Sequence, residues 1–594
     1  MYNDTVKRKF SDARFRRIFF TSIWASVALA VAISAAGLRK IPEAPLWHGI
    51  PAFKARNAFD WTRQLARGFP NRVPWRPERQ AASNFLQNEL RKLGYPVSTI
   101  TFDETIGGRK VEGLEDIYTV LPGGELPDEY LVVLAHYDVT DTTVEGAADD
   151  ASGIGTILEL ARIFKAGEPP KRNIVFLFTD SEEFGAFWGA HAFAAKFPHA
   201  SQIVAGVSLD FVAPDKQQDI MVLPDGLKSG YAPLWLRELA LASIRAVPYA
   251  AEDTQHLVEF VQRAILIPPA DHGAFLSAGI PALNLFGRST DFTYEMGMIH
   301  HTPEDNMSHL HEESFEPFGK ATEILLRSID QLPPLLARPW LRSSDYLKLS
   351  DRFYLTGPAS TGLQLLLFAP FLVYLSLLIK RLRGRRRHIF RVMRNELKHY
   401  AVTLGSLLAG YGALRILPDL KIITKYEMFP ATQKSLVLNR PSYGGMLLIL
   451  MIIVMFHAVA SQLVLAKTSR KSTTSVDRRM RHSLLGIVLG LIIIVAFVKN
   501  MYLASLLLFP PAYLWMFMKT NRRQKSRLIN AALFLGGFAS FIAICIAMTA
   551  VFHVGVFYWY MFLAVSYGLI SISAAILAFA VIAIGIRILR NLIL

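Results

Sequence analysis

The sequence predicts a three-layer α/β domain built on a mixed sheet, followed by an all-α polytopic transmembrane domain. Three observations predict this. The stretch from Leu131 to Glu183 alternates strand, helix and strand patterns; residues 41–355 form one long polar stretch; and beyond Pro358 apolar runs follow one another. A chain of 594 residues with 52% hydrophobic side chains is too apolar for one soluble domain. The predicted organisation is a basic head at 1–17, an anchor at 18–38, a globular domain at 41–355 and a membrane domain of about seven helices at 359–594.

The head carries Lys7, Arg8, Lys9, Arg14, Arg16 and Arg17, and the run Ile18 to Leu38 that follows has no charge. Its 21 residues suffice to span a bilayer. A cleaved signal peptide is the rival reading, because Ala32-Ile33-Ser34-Ala35-Ala36 offers small residues at a cutting position. The run exceeds the usual signal core in length, which favours an uncleaved anchor.

Residues 57–95 read as helices with an apolar face of Phe59, Leu65, Phe69, Phe85, Leu86, Leu90 and Leu93. Val97 to Phe102 is rich in β-formers and reads as a sheet-edge strand. Ile117–Leu121 and Leu131–Leu134 read as the next pair, joined by the Pro/Gly turn 122–128. A helical pattern from Ile154 to Phe164 then leads to an apolar strand, Asn173 to Thr179, which completes a βαβ unit. Ile203–Leu209 and Pro281–Phe286 are further strands, and helices near 231–245 and 312–331 complete the three layers.

Apolar runs sit near 361–379, 400–417, 443–466, 484–498, 501–518, 529–552 and 556–586. The net charge of +16 is unevenly spread: residues 18–379 carry −12, and the flanks 1–17 and 380–594 carry +28. The basic excess thus belongs to the membrane part, which sets nucleic acid aside as a partner and leaves the lipid bilayer. Loops 380–399, 467–482 and 519–527 hold nine, six and five Lys/Arg, against four in 418–442. Positive loops stay cytoplasmic. Eight spans then put both termini in the cytoplasm and the 41–355 domain on the periplasmic, extracellular or luminal side; a break near Tyr567-Gly568 would make nine. Cys545 is the single cysteine, so no intramolecular disulfide forms. Arg415 reads as a snorkelling end-of-span residue, and two isolated histidines, His457 and His553, do not draw a transport pathway. Oligomeric state is not legible in the sequence.

The chemistry lies at the strand ends. His136, Asp149, Glu183, Asp210 and His301 all fall at the ends of strands or in adjacent loops. In open α/β sheets the carboxyl edge is where ligands bind. Imidazole with carboxylate suits zinc or a similar divalent ion. Two ions sharing one bridging carboxylate need about this number of ligands. Asp138, two residues past His136, is placed to orient that imidazole. Glu182, adjacent to a ligand, is placed to face an attacking water as general base. A lone His-x-Asp or Glu-Glu pair is usually structural; their joint arrival at successive strand ends favours metal.

At these residues the chain resembles the co-catalytic zinc aminopeptidases of peptidase clan MH and their membrane-bound relatives. The resemblance rests on His136-x-Asp138, Gly146-Ala-x-Asp149-Asp150-x-Ser152-Gly153, Glu182-Glu183, Ser208-Leu-Asp210, Asp271-His272-Gly-Ala-Phe275, Gly279-Ile-Pro281-Ala and His301-Thr-Pro-Glu-Asp305, over roughly residues 55–332. It implies a zinc metallopeptidase domain at 41–355 with two ions per chain. His136 and Asp210 would hold one and Glu183 and His301 the other, with Asp149 bridging and Glu182 as base. It also implies a peptide substrate and an aminopeptidase-like exopeptidase activity. The layout of anchor, far-side domain and polytopic tail looks like the endoplasmic-reticulum and vacuolar membrane metallopeptidases.

The chain departs from the pattern at His300, where the secreted aminopeptidases often have a Tyr that helps stabilise the oxyanion. His300 or Tyr294 takes that role, or the metal serves alone. His191 and His199 read as surface or packing residues, a helix start near Ser314 explains His309 and His311 better than a third metal does, and His272 with Asp271 reads equally as a supporting or a substrate-contacting pair. Three alternatives stand beside the peptidase: a non-catalytic binding or assembly subunit, a glutaminyl-cyclase-like acyltransferase with one zinc, and a transporter or scaffold with a vestigial far-side domain.

Overall fold

The computed structural model describes residues 12–592 apart from 107–108, 185–186, 213–216, 227–230, 249, 254–255, 265–269, 290–298, 339–342, 383–385, 424–442, 466–474, 517, 519–523, 552–564 and 566–571. The described residues divide into two compact units. One is the α/β unit from Lys40 to Tyr354; the other is helical and combines the N-terminal helix with the chain from Leu355 onward.

The α/β unit is organised by an eight-stranded mixed sheet. In chain order its strands are β1 (Ser98–Ile106), β2 (Arg109–Leu121), β3 (Leu126–His136), β4 (Arg172–Thr179), β5 (Ile203–Asp210), β6 (Gln217–Leu223), β7 (Ala250–Asp253) and β8 (Ala282–Ser289). Their order across the sheet is β1-β2-β4-β3-β5-β8-β6-β7. The four central strands β4, β3, β5 and β8 run parallel.

Parallel strands are covered on both faces, so they read as unbroken apolar runs. In β3, Leu131, Val133 and Ala135 face one core, while Val132 and Leu134 face another. In β4, Ile174, Phe176 and Phe178 divide from Val175 and Leu177 in the same way. The larger core takes in helices Ala55–Gly68, Pro77–Lys92, Ser152–Ala166, Leu234–Arg245 and Glu312–Gln331. The smaller takes in Trp188–Lys196 and His272–Ser277. That is the three-layer α/β arrangement expected from the sequence, and each fully buried Leu, Val or Phe stabilises it by about 1.5–3 kcal/mol.

The edge reading for Val97–Phe102 holds, since β1 lies at one margin of the sheet. The expected pairing of Ile117–Leu121 with Leu131–Leu134 is not observed. β4 lies between them, antiparallel to β2 (Ile117 opposite Phe178) and parallel to β3 (Leu134 opposite Leu177). The Pro/Gly segment therefore crosses the start of β4 instead of closing a hairpin. A Cβ on Gly123 would sit 2.3 Å from the Arg172 carbonyl carbon, so only glycine permits the crossing. Strands β6 and β7 had no signal strong enough to be read.

Behind the carboxyl ends of the sheet sits a buried ion pair. Arg79 Nη1 lies 2.7 Å from Asp180 Oδ2, with side chains 7% and 0% exposed. The same oxygen accepts hydrogen bonds from Tyr137 Oη at 2.9 Å and from the Glu115 backbone N–H at 3.1 Å. Burial pushes the Asp180 carboxyl up to about 6 despite the guanidinium. Removing one partner of a buried pair costs about 3–5 kcal/mol. Arg79→Ala is accordingly expected to lower the unfolding midpoint of the α/β unit in the purified full chain by at least about 4 °C; an unchanged midpoint would show that the pair contributes nothing.

In the helical unit, Arg17–Gly37, Gly357–Lys380, Tyr443–Val464, Met480–Lys499 and Ile572–Arg590 are long and apolar enough to cross a membrane. A sixth candidate is the pair Arg527–Gly536 and Ala539–Ile546, bent by 46°. The run at 400–417 falls within a helix, Arg386–Ile416, whose first half is basic. The run at 501–518 forms only a short apolar helix, Met501–Trp515. His457 Nδ1 lies 3.2 Å from the Ser406 hydroxyl, and Arg415 donates to the Val565 carbonyl at 3.4 Å. His553 and Tyr567-Gly568 lie outside the described residues. Glu396 pairs with Arg587 at 2.8 Å and with Arg481 at 3.3 Å. This joins the N-terminal parts of two helices to the C-terminal part of a third.

Candidate metal centre

The central parallel strands deliver acids and imidazoles to one edge. β3 ends in His136, with Asp138 just beyond; β4 runs into Asp180-Ser181-Glu182-Glu183; β5 ends in Asp210. Asp149 lies in the turn Ala147–Ala151, which feeds the helix Ser152–Ala166. His300 and His301 lie on the chain after β8. Ser181 (φ +62°), Phe211 (φ +54°) and His301 (φ +56°) have left-handed backbone at non-glycine residues, and all three are in or next to this cluster. Such residues cost of order 1–3 kcal/mol each and concentrate at functional sites.

The side chains converge on Asp149. Its Oδ1 is 3.1 Å from His136 Nε2, and its Oδ2 is 3.1 Å from His301 Nε2. His301 Nε2 is also 2.7 Å from Glu183 Oε2. Donor atoms of His136, Asp149 and Asp210 lie within 4.8 Å of one another, and so do those of Asp149, His300 and His301. The five residues read from the sequence as candidate ligands are thus brought together, and His300 lies with them. From the sequence His300 is one of three candidates for an oxyanion role, beside Tyr294 and the metal alone. Tyr294 lies outside the described residues.

Asp138 has a broader task than the sequence suggested. Its Oδ1 is 3.5 Å from His136 Nδ1, longer than a good hydrogen bond. The same carboxylate accepts the backbone N–H groups of Glu182 at 3.0 Å and Glu183 at 3.3 Å. It therefore fixes the backbone carrying two candidate site residues as well as facing the imidazole. Asp305 does the same for the bridging turn, accepting the N–H groups of Ala148 at 2.7 Å and Asp149 at 3.1 Å.

Arg72, which carried no sequence signal, clamps that turn from outside. Its fully buried guanidinium donates to the carbonyls of Tyr137 (2.7 Å), Glu145 (2.7 Å) and Gly146 (3.1 Å). Burial lowers its pKa to about 10, although Asp305, Asp138, Asp150 and Asp149 oppose the shift.

Asp138, Asp149, Asp150, Glu182, Glu183, Asp210, Asp271 and Asp305 are all buried. Burial pushes Glu183 up to about 7, Asp210 to about 8, Asp305 to about 8 and Asp271 to about 6. Burial opposes the charged form of His301, but Glu183 and Asp149 overcome it and raise the imidazole to about 10. Glu183 Oε1 is buried with no hydrogen-bond partner among the described residues. Buried carboxyls whose charge burial disfavours, with an unpartnered oxygen and imidazole nitrogens beside them, fit a divalent cation of the zinc type.

The other histidines take structural roles where they are described. His272 is fully buried and its Nε2 donates to the Asp225 carbonyl at 2.6 Å, so it supports the fold rather than contacting substrate. Asp271 accepts the Thr179 hydroxyl. His199 stacks on Tyr130 with centroids 4.7 Å apart. His309 approaches Glu304 at 3.7 Å.

Sheet and strand-end cluster together define an α/β domain with a candidate metal centre at its carboxyl edge. Residues 116–324 match the model for peptidase family M28. The matched segment lies within the α/β unit, and the same chain carries helices apolar and long enough to cross a membrane. Among similar curated proteins, a probable zinc metalloprotease of Pyrenophora tritici-repentis is 38% identical over 120 residues, 19% of this chain and 27% of that relative. A vacuolar membrane protease of Candida dubliniensis is 28% identical over 184 residues, 31% of this chain and 17% of the relative. The match thus spans about a quarter or less of these relatives' own length. Among solved structures, a zinc aminopeptidase from Bacillus subtilis is 15% identical, covers 50% of this chain and 98% of its own, and has a TM-score of 0.40. The corresponding values for a Porphyromonas gingivalis glutaminyl cyclase are 21%, 47%, 98% and 0.39.

Proposed function

We propose that the chain is a membrane-anchored zinc metallopeptidase, an aminopeptidase-like exopeptidase with two ions per chain, acting on peptides on the non-cytoplasmic side. The observation that carries this reading is the convergence of His136, Asp149, Glu183, Asp210 and His301 at one sheet edge, with Glu182 beside them. Zinc held there supplies Lewis acidity, which polarises a carbonyl and acidifies water. His136 and Asp210 hold one ion, Glu183 and His301 the other, and Asp149 serves both. Glu182 takes the proton from the attacking water and passes it to the leaving amine. Asp138 keeps Glu182 and Glu183 in register through their backbone N–H groups.

Metal analysis of the purified full chain, with a panel of aminoacyl substrates, tests this. Two zincs per chain and hydrolysis that a chelator abolishes and zinc restores are expected. One zinc per chain with cyclisation of N-terminal glutamine would instead favour the glutaminyl-cyclase-like reading. A metal-free chain without turnover would favour a binding subunit.

The proposed topology has the head at 1–17 in the cytoplasm, the anchor at 18–38, the peptidase domain at 41–355 across the membrane and the tail from 359. It keeps the eight-span reading. The ion pairs of Glu396 with Arg481 and Arg587 support it, because they join three segments that charge counting assigns to one side. A reporter fused after residue 355 is expected outside the cytoplasm, and reporters near 390, 475 and 523 inside it. Protease that reaches the intact domain only from the cytoplasmic side would overturn the orientation.

A further inference from the structure

The chain that carries His301 brings a second imidazole to the same oxygen. His300 Nε2 lies 3.1 Å from Asp149 Oδ2, the atom that His301 Nε2 also meets at 3.1 Å. The two rings stack with centroids 3.7 Å apart and planes 23° apart. His300 also meets Phe211 edge-on at 5.5 Å, and its side chain is only 12% exposed. Two Nε2 atoms and one carboxylate oxygen thus converge on one buried point, the donor arrangement that a shared cation needs.

We infer that His300 is a fourth protein ligand to the ion on the Glu183 and His301 side, which makes the centre asymmetric. That side then offers Asp149, Glu183, His300 and His301, while the other offers Asp149, His136 and Asp210. Zinc with four protein ligands is a closed site, whereas three ligands leave a position open for water or substrate. The inference rests on the two-ion peptidase reading and deepens it. One ion is held tightly and is mainly structural, and the open position lies on the His136 and Asp210 side. His300 thus belongs to metal binding instead of to an oxyanion contact.

The test uses the zinc-loaded full chain in detergent. X-ray absorption at the zinc edge should count about 1.5 imidazoles per zinc, three rings shared by two ions; about 1.0 overturns the inference. His300→Phe keeps a ring against His301 and Phe211 but offers no ligand. In competition with a chelator, one ion should weaken by more than about 100-fold while the other stays near wild type. Loss of a supporting hydrogen bond alone costs about 10–100-fold, so a smaller change overturns the inference. His300→Gln can still hydrogen-bond Asp149 and should weaken the same ion as much as the phenylalanine does. Wild-type affinity in His300→Gln would make His300 a hydrogen-bond partner only. A wild-type chain that binds no metal overturns this inference and the proposed function together. Two ions in the wild type with little change in both variants overturns this inference alone.

Discussion

Glu182→Gln is expected to lower turnover by about 10²–10⁴-fold while bound metal stays near the wild-type content. The substitution keeps the shape and polarity of the side chain but removes its capacity to take a proton. Glu182 is not among the residues proposed to hold metal, so its loss should spare the ligand set. Its backbone N–H is held by Asp138, which leaves the position of residue 182 independent of its own carboxylate. Burial pushes the Glu182 carboxyl well above its usual range, and a bound cation would draw it down. Both effects act on the proton-accepting group, and a general base works best when its pKa lies near the working pH. Turnover within a few-fold of wild type, measured beside zinc content on the same preparation, would remove Glu182 from the base role.

Asp149→Ala should give the opposite pairing of results, with metal lost and turnover lost with it. Asp149 is the member common to both donor groups, with one oxygen toward His136 and the other toward His300 and His301. Three imidazoles lose their shared carboxylate at once. Asp305 still holds the turn through the N–H groups of residues 148 and 149, so the loss should be local. Zinc content should fall below one ion per chain, and chelation of what remains should be faster than in wild type. A preparation of Asp149→Ala that retains two zincs would show that Asp149 does not bridge. Comparison with Glu182→Gln then separates a residue that moves protons from one that holds metal.

The two sets of residues were legible to different degrees. His136, Asp149, Glu183, Asp210 and His301 stood out because strand ends can be read locally, and an acid or histidine after an apolar run of four to eight residues is visible without any partner. Arg72 gave no such sign. Its role depends on carbonyls 65 to 74 residues away, reached only once the sheet has formed. Asp305 was quoted within a motif but its work, on N–H groups some 157 residues earlier, was not visible there. His300 was read as an exception because sequence spacing cannot say toward which atom a ring turns.

The same division runs through the fold. Hydropathy and the βαβ pattern by themselves determined a chain with membrane-type apolar runs, an α/β unit and acids and histidines gathered at one sheet edge, because burial imposes its period directly on neighbouring residues. Only the tertiary structure decided that β4 lies between β2 and β3, that β6 and β7 extend the sheet, and that His300 joins His301 at Asp149. Strand neighbours and side-chain directions are set by contacts between residues far apart in sequence. Local periodicity constrains which face of a strand is buried, but not which strand it meets.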